Sequence, residues 1–141
     1  QVAGADPITS SSKMGEGYAG FVADGQLHLW DEKLEFRELE SEHSSASSAE
    51  GFELAGGRVA NYTSGQGLIL MKEVLYTISA KRLPVVFNIG ARALTSHSLN
   101  VHAGHADVMS LADCVWAMVF AKTAQEIGDL ALITRKAAHA S

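Results

Sequence analysis

The chain has 141 residues, 47% of them hydrophobic and 19% charged, with 13 Gly and 2 Pro. That composition suits one globular domain with a buried core, and it excludes a disordered segment or a collagen-like repeat. The formal net charge is −5, and its distribution is uneven: Asp31 to Glu53 holds eight acids against Lys33 and Arg37, a net −6, which leaves +1 for the rest. With no basic stripe to neutralise phosphates, the pattern argues against nucleic acid or an anionic membrane surface as a partner. The longest strictly apolar run, Cys114 to Ala121, is far short of the roughly 18 residues of a membrane span, so no transmembrane helix is expected. Gln1 to Gly20 lacks the charged start, apolar stretch and cleavage site of a secretory signal. A single cysteine, Cys114, excludes an internal disulfide or a cysteine-based metal cluster.

Taken in chain order, Val2 to Pro7 reads as the last part of a strand with nothing before it. Leu34 to Leu39 reads as a short strand, and Glu42 to Leu54 as a helix entered through Ser41. Arg58 to Thr63 is a second strand, Thr63-Ser-Gly-Gln-Gly67 a turn, and Leu68 to Ala80 a helix with Leu68, Met71, Leu75 and Ile78 on one face. Pro84 opens a near-continuous apolar strand, Val85 to Ile89, of the kind buried on both faces. A polar, histidine-containing stretch from Arg92 to Asp107 precedes a further expected buried strand, Cys114 to Ala121. Thr123-Ala-Gln-Glu126 fits a capping box, and the helix it opens runs to about His139, with Ile127, Leu130, Ala131 and Thr134 spaced for one buried face. No strand follows, so both ends suggest an excerpt of a larger domain.

Alternating strands and helices imply an α/β fold, a mostly parallel sheet covered by helices. Ligands bind such sheets at the carboxyl ends of the strands. Four loops should therefore share one functional rim: Asp6 to Ser12, Ser41 to Glu42, Thr63 to Gly67 and Ala91 to Ala93.

The motifs are weak one by one. Gly65-Gln66-Gly67 could cradle an anion or simply allow a tight turn on which the helix packs. His97, His102, His105 and Asp107 have the chemistry of metal ligands but no recognisable ligand spacing, and loop-lining histidines explain them as well. Cys114, opening an apolar run, reads as a buried inert thiol. Glu42 differs from the other acids because it stands where a strand ends and a helix of small residues, Ser44 to Ala49, begins. It is either a first-turn carboxylate favoured by the helix dipole or a carboxyl held beside a flat ligand, where desolvation would raise its pKa.

Five segments in order carry a family resemblance. Asp6-Pro-Ile-Thr-Ser-Ser-Ser-Lys-Met-Gly-Glu16 resembles the Tyr-Pro-Ile-Thr-Pro-Ser-Ser-x-Met-Gly/Ala-Glu signature of the 2-oxoacid:ferredoxin oxidoreductases, the pyruvate:ferredoxin/flavodoxin type included. Arg37-Glu-Leu-Glu-Ser-Glu42 is similar to that family's Arg-Glu-x-x-Ser-Glu, and Tyr62-Thr-Ser-Gly-Gln-Gly-Leu-Ile-Leu-Met71 to its Phe-Thr-Ala-Ser-Gln-Gly-Leu-x-Leu-Met. Gly90-Ala-Arg-Ala-Leu-Thr-Ser-His97 resembles its Thr-Ala-Arg-Ala-x-x-x-His, and Gly104-His-Ala-Asp107 its Gly-Asp-His-x-Asp. Asp6 and Ser10 replace a Tyr and a Pro of the pattern, and His43 to Ser48 replaces an Ala/Gly-rich segment.

The resemblance implies a three-layer, doubly wound thiamin diphosphate-binding fold, with residues 1–141 a single pyrimidine-binding domain truncated at both ends. It would form part of a larger multidomain or multichain cytoplasmic enzyme. The implied function is oxidative decarboxylation of a 2-oxoacid, pyruvate by the setting of Arg92, to an acyl-CoA. Coenzyme A and ferredoxin or flavodoxin are the implied partners, and a homo-oligomer the implied assembly. Glu42 would bond the aminopyrimidine ring of thiamin diphosphate and favour its imino form, with Ser64 and Gln66 also at the cofactor. Arg92 would pair with the substrate carboxylate and Thr9 would donate to the substrate. Magnesium and iron–sulfur clusters would lie elsewhere in the enzyme, since one cysteine cannot hold a cluster. A non-catalytic relic of the same domain and a stand-alone metal hydrolase using His97, His102 and His105 are the rival readings.

Overall fold

A computed structural model describes residues 2–5, 11–28, 31–94 and 100–140. Four parallel strands form one sheet in the order β2-β1-β3-β4: β1 Val2–Ala5, β2 Glu35–Glu38, β3 Val59–Thr63 and β4 Val86–Ile89. Between them run α1 (Ser12–Ala23), α2 (Glu42–Leu54), α3 (Gly65–Leu70) and α4 (Lys72–Ala80), followed by α5 (Ala106–Met109), a 3₁₀ turn (Ala112–Cys114) and α6 (Ala124–Ala140). The α/β reading holds, and so does the alternation on which it rested.

The core lies where α2, α3 and α4 cover one face of the sheet. Ala46 and Ala49 of α2 meet Val59, Leu68, Met71, Val74, Leu75, Ile78 and Val85. Small residues let α2 approach β1 and β3 closely: a Cβ at Gly4 would come within 3.1 Å of the Ser45 hydroxyl, which accepts a 2.8 Å bond from Asn61 Nδ2. The buried part of that small-residue surface therefore serves contact between helix and sheet, and no flat ligand can lie on it. Serine is a poor helix former, so α2 depends on this packing and on its cap. Ser41 accepts from the Ser44 amide while the Ser44 side chain accepts from the Ser41 amide.

The expected helix over Leu68 to Ala80 is two segments meeting at Met71, whose ψ of −15° departs from α geometry. The buried stripe of Leu68, Met71, Leu75 and Ile78 is nonetheless continuous across the joint. β4 forms one edge of the sheet and is half-buried along its length, whereas burial on both faces was expected. Cys114 to Ala121 is not a strand. Val115 turns left-handed at φ 61° and is 85% exposed. Trp116 ties the segment across the core, donating to the Leu75 carbonyl at 3.0 Å and standing edge-on to Phe87 at 5.3 Å. An apolar run becomes a strand only where a neighbouring backbone pairs with it, and here a side chain takes that place. Cys114 itself is buried, and burial pushes its thiol pKa up, as expected of an inert cysteine.

α6 opens through the expected capping box, with the Glu126 amide donating to Thr123 Oγ1 and the Thr123 amide to Glu126 Oε2. The buried face expected for it is absent: no residue of α6 is buried, and Ile127 is 57% exposed. The helix meets the sheet mainly along β4, and Arg135 anchors it by donating to the Pro84 and Val59 carbonyls.

Candidate functional site

Parallel register places Ala5, Glu38, Thr63 and Ile89 at one end of the sheet. The chain leaves β1 for β2 on one side and returns to β3 on the other, so the topological switch falls between β1 and β3. The crevice beyond the carboxyl ends at such a point is where open α/β sheets bind ligands. Of the four loops expected there, the strand ends place Ser41 to Glu42, Thr63 to Gly67 and Ala91 to Ala93 on this rim. Most of the fourth, including Thr9, lies outside the described residues, as does His97.

Glu42 is the first residue of α2, fixed at the rim by the Ser41 cap. Its side chain is half-buried and runs against the backbone of Gly67, where a Cβ would stand 2.5 Å from Glu42 Oε1 and 2.6 Å from Cγ. Among the described residues no donor reaches its carboxylate.

Arg92 follows β4 and is 2% exposed. Its backbone is held by an antiparallel bridge to Ala103 and by the Ala93 amide donating to the His102 carbonyl at 3.0 Å. Gly104 makes this approach possible, since a Cβ there would lie 2.7 Å from the Ala93 nitrogen. The guanidinium lies over Gly65, where a Cβ would stand 2.6 Å from Nη2, and Nη2 donates to Gln66 Oε1 at 2.9 Å. Gly65 is left-handed at φ 53°, a conformation that glycine adopts freely. Ser64 is fully buried and its hydroxyl donates to the Gly90 carbonyl at 2.5 Å, tying the ends of β3 and β4 together. Thr63, also fully buried, has a hydroxyl without a hydrogen-bond partner among the described residues at the last position of β3.

The glycine turn thus serves a purpose that neither expectation for it included. Each glycine makes room for one candidate side chain, Gly65 for Arg92 and Gly67 for Glu42. A pattern in sequence cannot show this, because both occupants come from remote parts of the chain.

Asp107 is fully buried in α5, and its oxygens are bonded to backbone amides. Oδ2 accepts from Gly65 N at 2.9 Å and from Arg92 N at 3.0 Å, and Oδ1 from Val108 N at 2.8 Å. His102 and His105 are exposed, and among the described residues no group of three His, Cys, Asp or Glu could hold a metal. Sequence reasoning placed Asp107 among candidate ligands and missed its bonding; its position in the Gly104-His-Ala-Asp107 segment was the available signal.

Comparison with known proteins places the chain in a family. Residues 1–141 match the family described as pyruvate flavodoxin/ferredoxin oxidoreductase, thiamine diphosphate-binding. The chain belongs to this family. It is 37% identical over 137 residues to a pyruvate:ferredoxin oxidoreductase of Moorella thermoacetica, covering 97% of this chain and 12% of that protein. It is 39% identical over 132 residues to pyruvate synthase subunit PorA of Thermotoga maritima, covering 94% of this chain and 32% of the subunit. A mitochondrial pyruvate dehydrogenase (NADP(+)) of Euglena gracilis is 37% identical over 131 residues, covering 93% of this chain and 7% of that protein. The chain thus spans from about a fourteenth to a third of these relatives. On this rim a half-buried carboxylate with no donor among the described residues and a buried arginine stand against one glycine turn.

Proposed function

We propose that this chain supplies the pyrimidine-binding half of a thiamin diphosphate site in an enzyme that oxidatively decarboxylates a 2-oxoacid, with pyruvate the substrate. The sheet order and the switch between β1 and β3 support a doubly wound fold of that kind. The names of the relatives and the family support pyruvate oxidation with ferredoxin or flavodoxin as electron acceptor. Another domain or chain provides the diphosphate and metal half, and coenzyme A takes the acyl group.

The observation that carries this reading is Glu42. Its carboxyl stands at the switch-point rim, half-buried, pressed on the Gly67 backbone and bonded by no donor among the described residues. A carboxyl so placed fits a heteroaromatic ring nitrogen, to which it can hold and return a proton. Thiamin diphosphate supplies the electron sink for decarboxylation when bound, and the protein tunes it. Gly67 fixes where the proton is held, because any larger residue would occupy the position of Oε1. Arg92, with Gln66 at its Nη2, offers the guanidinium fork suited to a carboxylate. Ser64 braces the turn through Gly90, and Gln66 is exposed beside the site. Thr9 is assigned to the substrate on family resemblance.

Glu42→Gln in the assembled enzyme should lower kcat by about 10²–10⁴, with affinity for pyruvate and thiamin diphosphate retained. Proton exchange at the cofactor's reactive carbon should slow in parallel. Exchange at the wild-type rate would refute the assignment.

A further inference from the structure

We propose that Asp107 is the positioning residue for Arg92, and through it sets the affinity of this site for the oxoacid carboxylate. The inference rests on the reading of Arg92 as the carboxylate-binding group, and goes beyond it by naming what holds that group in place.

One atom makes the connection. Asp107 Oδ2 accepts from the amides of both Gly65 and Arg92, residues that are distant in sequence but share this acceptor. Gly65 is the floor on which the Arg92 guanidinium lies, and Gln66, one residue on, is the group its Nη2 contacts. Asp107 therefore fixes the backbone that carries the arginine and the backbone on which the arginine rests, relative to one another. The other oxygen, on the Val108 amide, locks the carboxylate in the orientation this requires. The segment leading into α5 is itself registered to Arg92 by the Ala103 bridge. An ionised carboxylate has only acceptors and can serve all these amides at once. Asparagine at the same position would turn an NH₂ toward at least one of them. The partners of Asp107 are the Gly65, Arg92 and Val108 amides and not Glu42, so its effect should fall on oxoacid binding and leave the proton-transfer group intact.

The test uses the assembled enzyme, with steady-state kinetics in pyruvate and calorimetric binding of a phosphonate analogue of pyruvate that cannot lose carbon dioxide. Asp107→Asn should raise both KM and the analogue's Kd about tenfold, the size of effect typical when a partner behind a ligating group is changed. kcat and thiamin diphosphate affinity should stay within about twofold. Arg92→Ala should weaken the analogue by more than Asp107→Asn does, and the double variant should match Arg92→Ala alone, because a positioning residue has nothing left to position. Unchanged analogue affinity in Asp107→Asn, with a clear loss in Arg92→Ala, would overturn the proposal while sparing the carboxylate reading. Unchanged affinity in Arg92→Ala would overturn that reading and the proposal with it. A full additional loss in the double variant would show Asp107 to be merely structural. Should Asp107→Asn not fold, Gly65→Ala displaces the guanidinium directly, and unaltered analogue affinity there would overturn the proposal.

Discussion

The two ends of the sheet each bring a glutamate of α2 and an arginine from later in the chain close to β3, and they treat them in opposite ways. At the amino end, Glu53 and Arg135 are used up internally. Glu53 Oε1 accepts from the Val59 amide at 3.0 Å and lies 3.6 Å from Arg135 Nη1, while Arg135 also donates to the Val59 and Pro84 carbonyls. Every charge there answers another group of the protein. At the carboxyl end, Glu42 and Arg92 stand over different glycines of one turn, Glu42 against Gly67 and Arg92 over Gly65. The lesson is that a buried or half-buried Glu and Arg are not in themselves a site. What distinguishes the carboxyl-end rim is that glycine backbone has been cleared to seat each charged side chain separately.

That contrast can be broken most sharply at Gly67. Alanine there would place its Cβ 2.5 Å from Glu42 Oε1, so the carboxyl must move, yet the displaced group is the end of a flexible side chain. Inside a helix Gly→Ala is otherwise favourable by about 0.5–1 kcal/mol. Gly67→Ala should therefore cut kcat at least tenfold with thermal stability unchanged or raised. A loss of stability in proportion to the loss of activity would show that Gly67 serves packing.

The amino-end pair should answer in stability alone. Arg135→Met leaves Glu53 buried with the Val59 amide and the more distant Arg58 charge, which should cost about 2 kcal/mol in urea unfolding at neutral pH, with KM for pyruvate unaffected. Burial pushes the Glu53 carboxyl above its ordinary 4.5. A raised carboxyl is protonated more readily folded than unfolded, so it contributes less stability as pH rises through and above 4.5. The variant's penalty should accordingly shrink below pH 4.5, where Glu53 carries a proton in both states. A penalty independent of pH would mean that the lost carbonyl bonds, and not the pair, account for it.

A smaller effect is expected away from both rims. The Tyr76 hydroxyl and the Lys72 ammonium hold Asp113 down at about 2. A lowered carboxyl contributes stability that is present above its ordinary 3.8 and is lost as pH falls toward 2. Both residues are exposed, so Tyr76→Phe should only slightly flatten the acid limb of the stability curve, leaving neutral pH nearly unchanged.

Much of this architecture was legible before any coordinates. The Ser41 entry and the extent of α2 were readable because capping and helix periodicity are local. The same holds for the Thr123 box and for the stripe from Leu68 to Ile78. The strand assigned to Cys114–Ala121 failed because apolar composition does not reveal whether a neighbouring backbone is present to pair with. α6 failed for a related reason: a helical face was readable, but nothing local indicates whether a surface covers it. Among the acids of the −6 segment, Asp31, Glu32, Glu35, Glu38 and Glu40 are exposed as a charged edge should be. Glu53 is buried, a distinction made only by the arrival of Val59 and Arg135.

The alternation of strand and helix segments and the order of the five motifs by themselves determined the α/β class, the family, and the choice of Glu42 and Arg92 as the residues of interest. Residue type and spacing along the chain are enough for those. The tertiary structure alone decided why Gly65 and Gly67 are glycines, which amides Asp107 serves, and that one Glu and Arg pair is joined across the amino end while the other is seated on separate glycines. Each of those is a matter of which atom lies within about 3 Å of another across long stretches of sequence, and only folding brings such atoms together.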